Sequence, residues 1–256
     1  MRTRFAPTPS GYLHLGNAAH FVLVHRIALR EGAQIALRID DADRDRFRSV
    51  YLSDIFDLLT WLDLSWDVGP TSPADMAQWS QITRLSNYRE ALNSLIDAQV
   101  AYRCECSRID WLDYRGDECP RRCRSVGVDA GDAAWRLALP GVDDPIIWRR
   151  DDTPAYHLAS VVDDDHFGVD LVIRGSDLRE SSEIQRALSR HLPNSAFTGA
   201  VLLHHDLAVD GSGSKLSKSA GHGAAPLPRT EAVRREILDL AARLEASITP
   251  DRLRSS

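Results

Sequence analysis

Apolar positions in the first sixty residues follow two alternating rhythms, one that fits strands and one that fits helices. Residues 2 to 6 make a short strand, Gly11 to Gly16 is a turn-rich stretch, and an apolar-periodic run from Ala18 to Leu29 predicts a helix that Gly32 stops. Ile35 to Ile39 predicts a second strand. Ile55, Leu58, Leu59 and Leu62 then fall at i, i+3, i+4 and i+7, which lays one apolar stripe along a second helix. Strand, helix, strand, helix in this order predicts an α/β fold, a parallel sheet with helices on both faces.

The rhythm breaks after a helix at about residues 86 to 98. Cys104, Cys106, Cys119 and Cys123 follow within twenty residues, and then come short strand-like runs at 135 to 139 and 146 to 149. This reads as an insertion. From Ala155 the α/β pattern resumes with a helix at 156 to 162, a strand at 169 to 174, a helix at about 179 to 191 and a strand at 200 to 204. A Gly/Ser/Lys loop occupies 211 to 221, and a last helix is expected at about 231 to 244.

A chain of 256 residues, 43% of them hydrophobic, buries a substantial core as one large domain or two modest ones. No stretch approaches the roughly 20 apolar residues of a membrane span, and the opening MRTRFAPTPSG has no apolar signal-peptide core. The expected location is the cytoplasm, with no membrane partner. A net charge of −6 argues against a general nucleic-acid-binding surface, because phosphate contacts need clustered Lys and Arg. Arg121, Arg122 and Arg124 make one local basic patch, whose plainer reading is a solvated charge run.

The four cysteines have the spacing C-x-C-x12-C-x3-C in an otherwise cysteine-free chain. Thiolates this close together in a cytosolic protein suit Zn2+ better than disulfides, and four sulfurs complete a closed tetrahedral site of structural character. Such an ion would pin an insertion that has few apolar residues of its own. The alternative is four free or partly oxidised thiols.

Two further segments carry chemistry. His14-Leu15-Gly16-Asn17 leaves a strand and opens a helix, so backbone N–H groups at the helix start face the carboxyl edge of the sheet, a geometry that binds phosphate. Gly16 lets the backbone approach a nucleotide, and His14 can donate to oxygens whose charge rises in a transition state. Taken alone, a His before a Gly is more often a turn or capping residue. The loop Gly211-Ser212-Gly213-Ser214-Lys215-Leu216-Ser217-Lys218-Ser219 keeps two lysines three apart on a flexible segment, which suits a mobile clamp on polyphosphate. Taken alone, it is an ordinary surface linker.

Together, in this order and about 200 residues apart, the two segments resemble the paired signatures of class I aminoacyl-tRNA synthetases. The likeness extends to the glutamyl branch through Arg4-Phe5-Ala6-Pro7-Thr8-Pro9-Ser10-Gly11, Arg38-Ile39-Asp40-Asp41-Ala42-Asp43, Tyr156-His157-Leu158-Ala159 and Arg174-Gly175. It implies a Rossmann-like parallel sheet, the class I catalytic core, with a small zinc-containing insertion. The implied divisions are residues 1–100 and 151–225 for the two halves of the catalytic domain, 101–150 for the inserted acceptor-type subdomain, and 226–256 for a C-terminal helical segment. It also implies catalytic roles for His14, Lys215 and Lys218, and ATP contacts from His14, Gly16, Asn17 and Lys218. Arg4, Ala6, Thr8, Asp40, Tyr156 and Arg174 would hold the amino acid. Guanidinium forks at Arg4 and Arg174 suit a substrate carboxylate, and Asp40 stands at the family's acidic position for the α-amino group. Each has a plainer reading: Arg4 and Arg174 as structural salt-bridge partners, Tyr156 as a core-edge aromatic, Asp40 as an N-cap or turn residue.

Departures from the family pattern bear on the substrate. Asp40 stands where the glutamyl family has Glu, so either a water bridges the missing methylene or the pocket serves another amino acid. Asp163-Asp164-Asp165 precedes a displaced His166, and Ser160 replaces an Asn. About 35 residues follow the lysine loop, too few for an anticodon-binding half, and Arg174-Gly175-Ser176-Asp177-Leu178 resembles the short glutamyl-Q branch. In that branch a Tyr and one later Cys complete the metal site, so Tyr114 competes with Cys119 or Cys123 for a coordination position. The resemblance implies a monomer that uses ATP with Mg2+ to activate glutamate without tRNA and passes it to the queuosine base of tRNA(Asp). Two alternatives stand beside it. One is an adenylate-forming ligase that loads a different amino acid onto a metabolite, peptide or carrier protein; the other is an inactive tRNA-binding paralog.

Overall fold

A computed structural model describes residues 1–107, 109–110, 119–128, 131, 133–138, 144–208 and 225–250. The lysine loop with Lys215 and Lys218, and Tyr114, lie outside these residues. In chain order the elements are β1 (Arg2–Phe5), α1 (Leu15–Glu31), β2 (Gln34–Leu37), α2 (Ser49–Trp61), α3 (Met76–Trp79), α4 (Leu85–Asp97), β3 (Ala101–Cys104), α5 (Cys123–Val126), β4 (Ala134–Leu137), β5 (Ile146–Trp148), α6 (Tyr156–His166), β6 (Leu171–Gly175), α7 (Arg179–Ser189), β7 (Val201–His205), α8 (Glu231–Ala246) and β8 (Thr249–Pro250). The chain divides into two compact units, one of Met1–Thr83, Phe167–Arg179 and Gly199–Ser256, the other of Arg84–His166 and Glu180–Thr198.

The first unit is an α/β layer. β1 and β2 run parallel with Arg2 opposite Gln34 and Phe5 opposite Leu37, and β6 and β7 run parallel with Leu171 opposite Val201 and Gly175 opposite His205. Asp170 N–H donates to the Arg2 carbonyl at 3.1 Å, which joins the two pairs. The strands bury Phe5, Leu37, Val172 and Ile173 completely, as runs covered on both faces must. α2 buries the stripe read from the sequence, with Ile55, Leu58 and Leu59 inaccessible and Leu62 nearly so. α8 packs on α1 through Ile237, Leu240, Ala241 and Leu244. Gly32 ends α1 as expected, at φ 61° and ψ 30°, a left-handed cap whose N–H reaches the Ala28 and Leu29 carbonyls.

Local chemistry moved some boundaries. α1 starts at Leu15, before the apolar run, because the His14 side chain caps it. α6 continues through the Asp163–His166 run instead of stopping at 162. β8 adds a two-residue antiparallel partner to β7 that periodicity does not predict.

In the second unit, β3, β4 and β5 form an antiparallel sheet in which Cys104 pairs with Ala134. α4 packs against α6 around a buried ion pair. Asp163 is fully buried, and its Oδ1 accepts from Arg84 Nε at 2.8 Å and from the Tyr88 hydroxyl at 2.7 Å. Asp165 accepts from Ser195 Oγ at 2.6 Å and from Phe197 N–H at 3.0 Å. These bonds make Asp163 and Asp165 compatible with a helix whose inner face is dry.

Candidate functional site

The start of α1 is built by His14. Its backbone is extended at φ −100° and ψ 172°, and its Nδ1 accepts from the N–H groups of Gly16 at 3.1 Å and Asn17 at 3.4 Å. Asn17 Oδ1 accepts the His14 N–H at 3.2 Å, which closes a reciprocal capping box. The capping role weighed for His14 is therefore present, and it fixes the tautomer. With Nδ1 accepting, the ring proton of the neutral imidazole resides on Nε2. Gly16 is buried because the segment after β7 comes close: a Cβ there would lie 3.0 Å from Ala208 Cβ and 3.1 Å from the His14 ring.

Other candidates of this unit lie at or beyond strand ends. Arg4 on β1 and Arg174 on β6 are both buried, and Arg4 Nη1 donates to the Ile173 carbonyl at 3.3 Å. Ala6 and Thr8, past the end of β1, are partly exposed. Asp40 is neither a helix cap nor a free acid. Arg38, itself buried, grips it at both oxygens, Nε to Oδ1 at 2.7 Å and Nη2 to Oδ2 at 3.1 Å. Asp41 accepts from Ser80 Oγ at 2.6 Å and Gln81 N–H at 2.8 Å, which fixes the turn beyond.

A histidine pair at this site was not found by sequence reasoning. His20 on α1 and His205 at the end of β7 meet Nδ1 to Nε2 at 3.0 Å across 185 positions. Burial, His205 and the guanidiniums of Arg4 and Arg174 hold the His20 imidazole well below its ordinary pKa. Burial also lowers that of His205, against the pull of the Asp206 carbonyl and of the Asp177 and Asp206 carboxylates. No periodic signal connects residues so far apart in the chain.

In the second unit, Tyr156 opens α6 with 46% of its surface exposed, its ring 5.4 Å from that of His157. Cys104, Cys106, Cys119 and Cys123 are all buried and unbridged, and their sulfurs lie within 4.8 Å of one another. The residues fit a tetrahedral ion. Bonds of about 2.3 Å place sulfurs about 3.8 Å apart, and Cys106 and Cys123 Sγ stand 3.8 Å apart. Cys119 Sγ also accepts the Cys123 N–H at 3.1 Å. Burial pushes the Cys106 and Cys123 thiols up, a penalty a bound cation reverses by taking the thiolate directly.

The glutamate–tRNA synthetase of Elizabethkingia anophelis matches with a TM-score of 0.70 at 22% identity, over 86% of this chain and 53% of that one. The fold is thus that of the class I tRNA synthetase catalytic domain. The family described as tRNA synthetases class I (E and Q), catalytic domain, matches residues 1–130 and 132–233, and the chain belongs to it. A glutamate–tRNA ligase of Dehalococcoides mccartyi is 31% identical over 253 residues, 88% of this chain and 51% of that protein. The chain spans about half the length of such relatives. A glutamyl-Q tRNA(Asp) synthetase of Symbiobacterium thermophilum is 34% identical over 264 residues, 88% of this chain and 79% of that protein. Among the described residues, no helix is long and apolar enough to cross a membrane.

Proposed function

We propose that this chain activates glutamate with Mg2+-bound ATP, without tRNA, and transfers it to the queuosine base of tRNA(Asp). The observation that carries the adenylate step is the His14-capped start of α1, with Gly16 held close to Ala208 and the His14 ring proton on Nε2. The substrate α-carboxylate attacks the α-phosphorus of ATP in line; the new bond is carboxylate O–P, and the bond to the bridging oxygen breaks as pyrophosphate leaves. Positioning and charge stabilisation supply the catalysis, so no side-chain nucleophile is needed. His14 donates to the α-phosphate oxygens, Gly16 and Asn17 line the nucleotide, Lys218 stabilises the transition state and Lys215 follows the β- and γ-phosphates. Arg4 and Arg174 bind the acidic side chain, and Ala6 and Thr8 line the same pocket. Cys104, Cys106, Cys119 and Cys123 would hold Zn2+, which would pin the insertion. The Symbiobacterium relative and the Arg174-Gly175-Ser176-Asp177-Leu178 run support the queuosine acceptor.

One observation favours a second reading. Both oxygens of Asp40 are engaged by Arg38, so recognition of the α-amino group differs from the family pattern and a different amino acid fits. Amino-acid-dependent ATP–pyrophosphate exchange without tRNA, run with glutamate, aspartate and glutamine, decides between them. Exchange with glutamate alone that Lys218→Ala abolishes supports the first reading, and transfer to queuosine-containing tRNA then tests the acceptor. Exchange with another amino acid supports the second, and none with any, even after tRNA is added, refutes the adenylate step.

A further inference from the structure

The pair His20 and His205 is absorbed by none of these roles, and its hydrogen bonds fix which nitrogens carry protons. His205 Nδ1 lies 2.7 Å from the Asp206 carbonyl, which can only accept, so Nδ1 carries the proton. In the neutral ring His205 Nε2 is then an acceptor, and the 3.0 Å contact makes His20 Nδ1 the donor. His20 is left with an unprotonated Nε2, for which the described residues provide no partner, and the side chain is partly exposed. Arg4 from β1, Arg174 from β6 and His205 from β7 act on the His20 ring, and the carboxylates of Asp177 and Asp206 act on His205. The fields of Arg4 and Arg174 keep the imidazole neutral, and the substrate's own carboxylates offset those two cations when its ammonium arrives.

We propose that His20, oriented by His205, determines specificity in the amino-acid pocket by offering Nε2 as a fixed hydrogen-bond acceptor to the ammonium group of the substrate. The inference deepens the adenylate reading and rests on it. An acidic amino acid brings three charged groups to this site. Its two carboxylates suit guanidinium forks and would be left unsatisfied by an acceptor; only its ammonium donates. Asp40, at the position where the family keeps an acid for that ammonium, has its charge countered by a bidentate arginine. A neutral acceptor on a neighbouring element fills the role, and its fixed tautomer excludes ligands that lack a donor.

The test uses the full chain, with His20→Phe to remove the acceptor and His20→Gln to keep one. His20→Phe is expected to raise the KM for glutamate about tenfold or more, the loss of one hydrogen bond to a charged group. The KM for ATP should stay unchanged, and His20→Gln should recover most of the loss. Glutarate, which has no ammonium, should inhibit wild type and His20→Phe equally. Nitrogen-15 NMR of the imidazoles provides a readout independent of turnover and of the variants' folding. His20 should show the Nδ1–H tautomer, with an Nε2 resonance that moves on adding glutamate and not on adding glutarate. An unchanged glutamate KM in His20→Phe, equal weakening of glutarate, or an Nε2–H tautomer overturns the inference. If wild-type protein exchanges pyrophosphate with no amino acid, the adenylate reading falls, while the NMR titration still decides whether His20 meets an ammonium.

Discussion

Substituting Gly16 by Ala probes whether close approach at the start of α1 is needed for nucleotide chemistry. The added methyl would lie 3.0 Å from Ala208 Cβ and 3.1 Å from His14 Nδ1 and Cε1, a few tenths of an ångström inside ordinary contact. Neither neighbour yields easily. Ala208 Cβ is fixed to its backbone, and the His14 ring is tied to two N–H groups. Overpacking of this kind costs about 1–3 kcal/mol, and Ala recovers up to about 1 kcal/mol over Gly in a helix. The net loss is therefore about 0–2 kcal/mol, a fall in Tm of a few degrees in a chain of this size. The effect on chemistry is larger. If the strain is relieved by moving the imidazole, its Nε2–H leaves the phosphate, and misplacement by about 1 Å costs on the order of 100-fold in rate. Calorimetry and ATP–pyrophosphate exchange on one preparation separate the two effects. A folded Gly16→Ala protein with wild-type kcat/KM for ATP would refute the argument.

Three further outcomes are expected. Asp163→Asn leaves the Arg84 guanidinium buried without its ion-pair partner and should cost about 3–5 kcal/mol in urea unfolding, against about 1.5–3 kcal/mol for Tyr88→Phe, which removes only a hydrogen bond to the charge; equal, small losses would show that the pair is not dry. Elemental analysis should find one zinc per chain, and chelation or Cys119→Ser should lower Tm, whereas metal-free protein of unchanged Tm would exclude the site. Because His20 and His205 are lowered in the fold, the unfolded chain binds more protons near its ordinary value of about 6.5, so their stabilisation is full above that pH and declines below it. Urea midpoints between about pH 7.5 and 5 should then fall more steeply for wild type than for His20→Gln, and parallel curves would refute this linkage.

The parts of the fold that were legible in the sequence are those governed by local periodicity. The stripe on α2 and the Gly32 stop of α1 follow from spacing alone. The helix expected at 156 to 162 stopped short because Asp163–Asp165 interrupts the apolar pattern, whereas the run is satisfied by Arg84, Tyr88, Ser195 and Phe197, residues distant in the chain. Asp40 had a readable signal that went unused. Arg38 and Asp40 are two apart on an extended segment, so their side chains share a side and an acid placed there is gripped by the arginine. Lys215 and Lys218 remain a sequence inference, since they lie outside the described residues.

His14, which caps α1, and His20, within it, show how one fold gives one side chain opposite hydrogen-bonding roles. His14 spends Nδ1 as an acceptor on the helix cap, which puts its ring proton on Nε2. His20 spends Nδ1–H as a donor to His205, which leaves Nε2 to accept. A helix that starts beside β1 thereby carries, six positions apart, a donor suited to a phosphate and an acceptor suited to an ammonium. Neither assignment follows from the residue type, because a neutral imidazole has both tautomers available. What selects between them is the group on the other nitrogen: two backbone N–H groups in one case, and a histidine locked by a carbonyl in the other. Exchanging the locks should exchange the roles, so His205→Gln, which can present either an N–H or a carbonyl to His20, should loosen amino-acid selection without touching the His14 cap.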